Sequence, residues 1–214
     1  MRGHGKSTMA RALTKTAPRL LAFDPNEEHD CALLPYEEFR EQLDGLDLSR
    51  QHFRLGIAEE AQAEEFCAFA WLIGRRLREL PVPTTLMVLL DEADSFAIPG
   101  QEGPCFKRMV RRGRHAGIEI VACSQRPALV SRSLTSQADE VYVFRMQEPK
   151  DLAYLRTFMG PDAMIAVYQL EPFEYVRWSA GEWEKGRLGD PTGTASGAEG
   201  SNSRKVLTGE PEPA

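Results

Sequence analysis

Cysteine is scarce in this sequence, and where it falls limits what it can do. Four cysteines, Cys31, Cys67, Cys105 and Cys123, lie far apart and form no C-x-x-C pair. Cys67 and Cys123 sit within apolar helix and strand patterns, so the thiols read as reduced core residues of a cytoplasmic protein. Long apolar runs are missing too. None approaches the ~20 residues that cross a bilayer, which leaves no transmembrane segment. The start offers no signal peptide either, because Arg2, His4 and Lys6 lead into a mixed, helix-like stretch and not an apolar core. Positive charge is in deficit: 26 Lys and Arg against 32 Asp and Glu give a formal charge of −6. That balance excludes a protein that coats nucleic acid by charge alone and confines any DNA contact to local patches. There is no internal repeat.

What remains is an ordinary globular composition, 42% hydrophobic and 27% charged, in a length that favours one domain with a real core. Helix and strand signals alternate from the first residue to about Ser179, the pattern of a mostly parallel sheet covered by helices on both faces. Helices are predicted over 6–17, 36–43, 59–80, 103–115 and 150–158. Short strands are predicted over 19–23, 52–57, 84–90, 118–123, 141–144 and 173–178, with 84–90 the most continuous apolar run and so a central buried strand. The acidic stretch 27–50 has weak periodicity. From Gly181 onward Gly, Ser, Thr, Glu and Pro dominate, and little burial is available to offset the ordering of the backbone. The expected division is a folded domain at 1–181 and a disordered polar tail at 182–214.

Three groups of residues carry chemistry. Gly5-Lys6-Ser7-Thr8 supplies the end of a phosphate loop (Walker A), with Gly3 just ahead of it. Glycine lets backbone N–H groups wrap phosphate oxygens, the lysine reaches the β and γ phosphates, and the adjacent hydroxyl serves Mg²⁺. The pattern's first glycine would fall just ahead of Met1, and the strand that feeds such a loop is absent too. The sequence therefore reads as starting inside its own motif, with an upstream segment expected to carry both. Residues 86–92, Leu-Met-Val-Leu-Leu-Asp-Glu, have the form of a Walker B strand, with Asp91 near Mg²⁺ and Glu92 placed to polarise the attacking water. Residues 3–8 also start like the dinucleotide fingerprint G-x-G-x-x-G, with Asp24 ending the next strand, but Thr8 replaces the third glycine and that fingerprint has no use for the lysine. The third group is the basic run Arg111-Arg112-Gly113-Arg114-His115, the strand after it, and Ser124-Gln125-Arg126-Pro127. Gln125 at the tip of a buried parallel strand points into the crevice where such sheets bind ligands and could sense a γ phosphate. Arg114 reads either as part of a solvated or phosphate-binding face, or as an arginine presented to an adjacent subunit's site.

Together Gly5-Lys6-Ser7-Thr8, the strand ending Asp91-Glu92, Gly113-Arg114-His115-x-Gly117 and Ser124-Gln125-Arg126-Pro127 resemble the HerA/FtsK superfamily of DNA-pumping ATPases. Within it the chain is most similar to the genome-packaging ATPases of tailless, membrane-containing icosahedral double-stranded DNA viruses. The resemblance covers about 2–179. It implies a three-layer P-loop NTPase fold of the additional-strand, RecA-like kind, lacking its first strand, and an ATPase that uses ATP and Mg²⁺ to drive double-stranded DNA into a preformed capsid. It further implies that Lys6 and Ser7, with Gly3, Gly5 and Thr8 around them, bind phosphate, that Ser7 and Asp91 hold Mg²⁺, and that Glu92 activates water. By the same resemblance Gln125 is the sensor, and Arg114 is an arginine finger acting in trans within a homo-oligomeric ring, usually a hexamer. Asp24-Pro25 resembles a strand end common in the group, without a catalytic role. Lys107, Arg108, Arg111 and Arg112 are candidates for DNA backbone contact. The host cytoplasm during assembly, the virion and capsid vertex proteins are the implied surroundings. Two other readings stay open: an assembly ATPase like those of filamentous phages, which usually carry a membrane segment, and a nucleotide-binding protein made inactive by the incomplete loop.

Overall fold

The computed structural model describes residues 5–189 and 204–208. Its frame is one nine-stranded sheet. In chain order the strands are β1 (Arg19–Phe23), β2 (Ala32–Leu33), β3 (Phe53–Ile57), β4 (Leu86–Leu90), β5 (Ile118–Ser124), β6 (Glu140–Phe144), β7 (Glu174–Ser179), β8 (Glu182–Arg187) and β9 (Arg204–Thr208). Across the sheet they run β2-β3-β1-β4-β5-β9-β6-β7-β8. Neighbours from β2 to β6 are all parallel, and β6-β7-β8 close the edge as an antiparallel meander. The connections are helical: α1 (Lys6–Thr14), α2 (Tyr36–Asp44), α3 (Ala63–Arg78), α4 (Ala93–Phe96), α5 (Pro104–Arg112), α6 (Arg132–Thr135), α7 (Pro149–Met159) and α8 (Pro161–Tyr168).

The central strands β1, β4 and β5 are mostly apolar because both faces are covered, with charge only at Arg19, which opens β1, and Glu119 in β5. In β1, Leu20 and Ala22 join a core with Met9 and Ala10 of α1, Leu89, Val121, Cys123 and Phe144. Leu21 and Phe23 face the other way, into the larger core formed with α3, α5 and α7. Each fully buried side chain of this size contributes about 2 to 3 kcal/mol of burial, so the two layers fix the sheet from both sides. α3 lies very close to it. A Cβ on Gly74 would come within 2.5 Å of Ile118 Cγ1, so only glycine allows this helix to rest against the start of β5.

Two expectations change. The basic helix predicted over 103–115 stops at Arg112, and residues 113–116 form a 3-10 turn ended by Gly117 in the left-handed region (φ 68). The tail expected from 182 instead contributes β8 and β9. β8 pairs in register with β7, from Glu174 opposite Arg187 to Ser179 opposite Glu182, and ion pairs of Glu174 with Lys185 and Arg187 hold the hairpin where apolar burial is slight. β9 takes the place between β5 and β6. Residues 190–203 and 209–214 lie outside the described residues, as does any strand ahead of Gly5.

Candidate nucleotide site

In a parallel sheet every strand delivers its carboxyl end to the same edge, and ligands collect where helix amino termini meet those ends. Here β1 ends at Asp24, β4 at Asp91-Glu92 and β5 at Gln125. α1 begins beside them. Its N-cap is Gly5, with φ 117 and no capping side chain, and no acidic residue lies in its first turn. The amino end of α1 thus keeps its N–H groups and partial positive charge uncompensated by its own sequence, the condition for receiving an anion. Gly5 is required there, since an added Cβ would meet Leu188 and Phe144 at 2.8 Å and the φ is one L residues rarely adopt.

Lys6 is buried, and its Nζ lies 3.2 Å from Glu92 Oε1 and 3.6 Å from Asp91 Oδ1. Burial works against its charge, yet the carboxylates of Asp91 and Glu92 outweigh that and raise its pKa above the usual lysine value. Asp91 is fully buried. Burial pushes its carboxyl up, but a hydrogen bond with His29 and the Lys6 charge leave the net pKa below the ordinary aspartate value. Cys123, beneath this pair, is driven well above the ordinary thiol value by burial and by Asp91, so it is inert. Glu92 stands at φ 48, ψ 45, a conformation that costs a non-glycine residue about 1 kcal/mol or more and collects at functional sites. Three donors converge on its Oε1: Lys6 Nζ at 3.2 Å, Asn26 Nδ2 at 3.1 Å and Gln125 Nε2 at 2.6 Å. The backbone of Gln125 is held in turn by Asp94, and Arg126 anchors the turn through the buried Asp151 at 2.8 Å.

A cavity of about 390 Å³ opens beside α1, lined by residues 5–8, Arg11, Glu27, Glu28 and Phe173. Phe173 is 46% exposed and sits at φ 66, another strained conformation. Of the residues singled out in the sequence, Gly5, Lys6, Ser7, Thr8, Asp91, Glu92 and Gln125 come together here. Gly3 lies outside the described residues. Arg114 does not join them: it precedes β5, at the opposite end of a seven-residue strand spanning roughly 20 Å, where it makes a two-pronged pair with Asp139 at 2.8 and 2.9 Å. Asp24 is fully buried, and its two oxygens accept the amides of Glu28 and His29, so it is not free for a ribose and the dinucleotide reading fails.

Sequence reasoning missed Asn26, Glu28, His29 and Phe173. The available signal was Asp24 itself, since whatever follows the carboxyl end of a central parallel strand enters the ligand crevice. The residues present fit a divalent cation accompanying a nucleotide. Asp91 Oδ1 is buried without a hydrogen bond.

No family model matches the chain. A 73-residue stretch, 33% of the chain, is 30% identical to the DNA double-strand break repair helicase HerA of Pyrococcus furiosus, and this stretch spans only 13% of that protein. The fold is similar to that of the genome packaging NTPase B204 from Sulfolobus turreted icosahedral virus 2. Its complex with AMPPCP gives a TM-score of 0.68 at 16% identity over 86% of this chain and 92% of that one. Its complex with ATP-gammaS gives 0.66 at 18% identity with the same coverage. B204 from Sulfolobus turreted icosahedral virus, described as a DNA-packaging ATPase, gives 0.60 at 17% identity. The chain thus has the P-loop NTPase fold of the packaging NTPase B204 and is related to HerA over a third of its length.

Proposed function

We propose that the chain is the motor subunit of an ATP-driven pump that moves double-stranded DNA into a preformed viral capsid. The observation that carries this reading is the convergence of Lys6, Asp91, Glu92 and Gln125 at the amino end of α1. The amides of the α1 terminus and the Lys6 ammonium bind the β and γ phosphates, and the burial of Lys6 keeps its charge unscreened by water. Ser7 and Asp91 are the residues that hold Mg²⁺, which neutralises charge on the phosphates when bound. Glu92 accepts the proton of the attacking water through the oxygen that its three donors leave open. Gln125, already bonded to Glu92, links the state of the γ phosphate to the base.

Arg114 cannot reach the site of its own chain across the length of β5. It therefore serves the site of a neighbour in a homo-oligomeric ring, a hexamer on the analogy of the superfamily, where its pair with Asp139 must open. The face of α5 with Lys107, Arg108, Arg111 and Arg112 contacts DNA phosphates, a sequence-independent grip suited to a pump. Capsid vertex proteins are the partners expected at the site of packaging, in the host cytoplasm. Among the described residues no helix is long and apolar enough to cross a membrane.

The test is ATP hydrolysis with and without linear double-stranded DNA, together with displacement of a DNA triplex ahead of the moving protein. Hydrolysis stimulated by DNA and ATP-dependent displacement are expected. A chain that binds nucleotide but hydrolyses none with or without DNA sinks the proposal in favour of an inactive binder.

A further inference from the structure

The two residues assigned to Mg²⁺ each have a partner from one short loop, residues 25–30 after β1. Ser7 Oγ donates to Glu28 Oε2 at 2.5 Å. His29 Nε2 lies 3.3 Å from Asp91 Oδ2. The loop is fixed from below and from the side: Asp24 accepts the amides of Glu28 at 3.1 Å and His29 at 2.9 Å, and Arg11 donates to the Glu28 carbonyl at 3.3 Å. These bonds have a directional consequence. A hydroxyl that gives its proton to a carboxylate keeps its lone pairs for a cation. A carboxylate whose Oδ2 is taken by an imidazole N–H keeps Oδ1 for a cation, and Asp91 Oδ1 accepts no hydrogen bond, its charged neighbour being the Lys6 ammonium at 3.6 Å. Since Asp91 is an acceptor, the imidazole proton of His29 belongs on Nε2.

We propose that Glu28 and His29 are positioning residues of the metal site, Glu28 orienting the Ser7 hydroxyl and His29 orienting the Asp91 carboxylate toward the divalent cation that accompanies the nucleotide. The inference rests on the nucleotide-site reading above. Partners of this kind set the orientation of metal ligands, and their loss costs about 10- to 100-fold in metal affinity.

The experiment uses the full chain, with Mn²⁺ as a paramagnetic probe and a fluorescent ATP analogue. Nucleotide binding is measured in EDTA and then across a Mn²⁺ titration, with bound Mn²⁺ read by electron paramagnetic resonance. Glu28→Ala and His29→Ala should each raise half-saturating Mn²⁺ by about 10- to 100-fold, a larger effect than either has on nucleotide binding in EDTA. His29→Gln, which keeps an N–H donor, should recover most of the loss and covers the case in which His29→Ala does not fold. In a Ser7→Ala background, Glu28→Ala should add nothing, because the group it orients is gone. Unchanged Mn²⁺ dependence in the single variants, equal losses with and without metal, or full additivity with Ser7→Ala overturns the inference. A wild-type chain that binds no nucleotide under either condition fails the nucleotide-site reading itself, which the variants cannot mimic.

Discussion

Replacing Lys6 with alanine should unfold the protein more easily as well as abolish nucleotide binding. The ammonium is 3.6 Å from a fully buried Asp91 and 3.2 Å from Glu92. At an effective dielectric of about 20, each contact is worth about 5 kcal/mol of attraction before the cost of desolvating the charges. Removing one member of a buried pair typically costs about 3 to 5 kcal/mol because the other charge stays behind. Asp91 retains His29, and Glu92 retains Asn26 and Gln125, so the lower figure applies. A loss of about 3 kcal/mol in a chain of this size lowers Tm by about 6 to 12 °C. Calorimetry or circular dichroism melting of the nucleotide-free protein reads the shift directly. Adding Asp91→Asn removes the stranded buried charge, so Lys6→Ala/Asp91→Asn should melt above Lys6→Ala while binding nucleotide no better. If Lys6→Ala melts within about 1 °C of wild type, or if the second substitution brings no recovery, the buried-charge account is refuted.

Glu92→Gln keeps an oxygen for its three donors but no base, so nucleotide binding should persist while kcat for DNA-stimulated hydrolysis falls by about 10²- to 10⁴-fold; activity that survives the change removes Glu92 from that role. Gly5→Ala forces a Cβ to 2.8 Å from Leu188 and Phe144 at φ 117, which should cost about 1 to 3 kcal/mol in urea unfolding and weaken phosphate binding in the same variant. Phe173→Ala removes the exposed ring on the rim of the cavity; if that ring stacks on the base, affinity for ATP should fall by about 1 to 3 kcal/mol with affinity for inorganic triphosphate unchanged, measured by competition. Stability should be level at neutral pH and fall in acid. Glu174 is held down to about 2 by a hydrogen bond from Lys185, the Glu171 amide and Arg187, and Asp91 is also lowered. A depressed folded-state pKa contributes stability above the unfolded value and loses it as pH drops through the folded one. Melting temperature should thus decline below about pH 4.5, and Glu174→Gln should make that decline shallower.

The buried strands were legible because a strand covered on both faces must be apolar along most of its length. Residues 19–23 and 118–123 announced themselves in that way, and the acids or amides at their ends marked the ligand edge. α8 and the short turns α4 and α6 were not legible, since they depend on docking against neighbours more than on a period of their own. β8 was missed for a related reason. Its side chains are largely exposed, and Lys185 and Arg187 reach Glu174 in a partner strand, a form of stabilisation that leaves no hydrophobic signal. In the site, Lys6, Asp91, Glu92 and Gln125 were readable because each occupies a fixed place relative to a strand or helix end. Asn26, Glu28 and His29 were not, because their partners lie 21 to 66 positions away in the chain and only the burial of Asp24 folds the loop over them.

That arrangement bears on how the pump would transmit force. The basic face of α5, Arg114, β5 and Gln125 follow one another within residues 104–125, so the proposed DNA grip, the neighbour's finger and the sensor share one short stretch of chain. β5 joins their two ends. It is enclosed between β4 and β9, covered by α1 on one face and pressed at Ile118 by the bare backbone of Gly74. Packing this close leaves no room for the strand to bend locally. A displacement of Gln125 when Glu92 changes partners must then be absorbed in the turn after Ser124 or carried along β5 to Arg114. The Arg126–Asp151 pair stiffens the turn, while Arg114 and Asp139 meet through exposed side chains, so the Arg114 end of the strand, the one proposed to serve a neighbour, is the softer of the two.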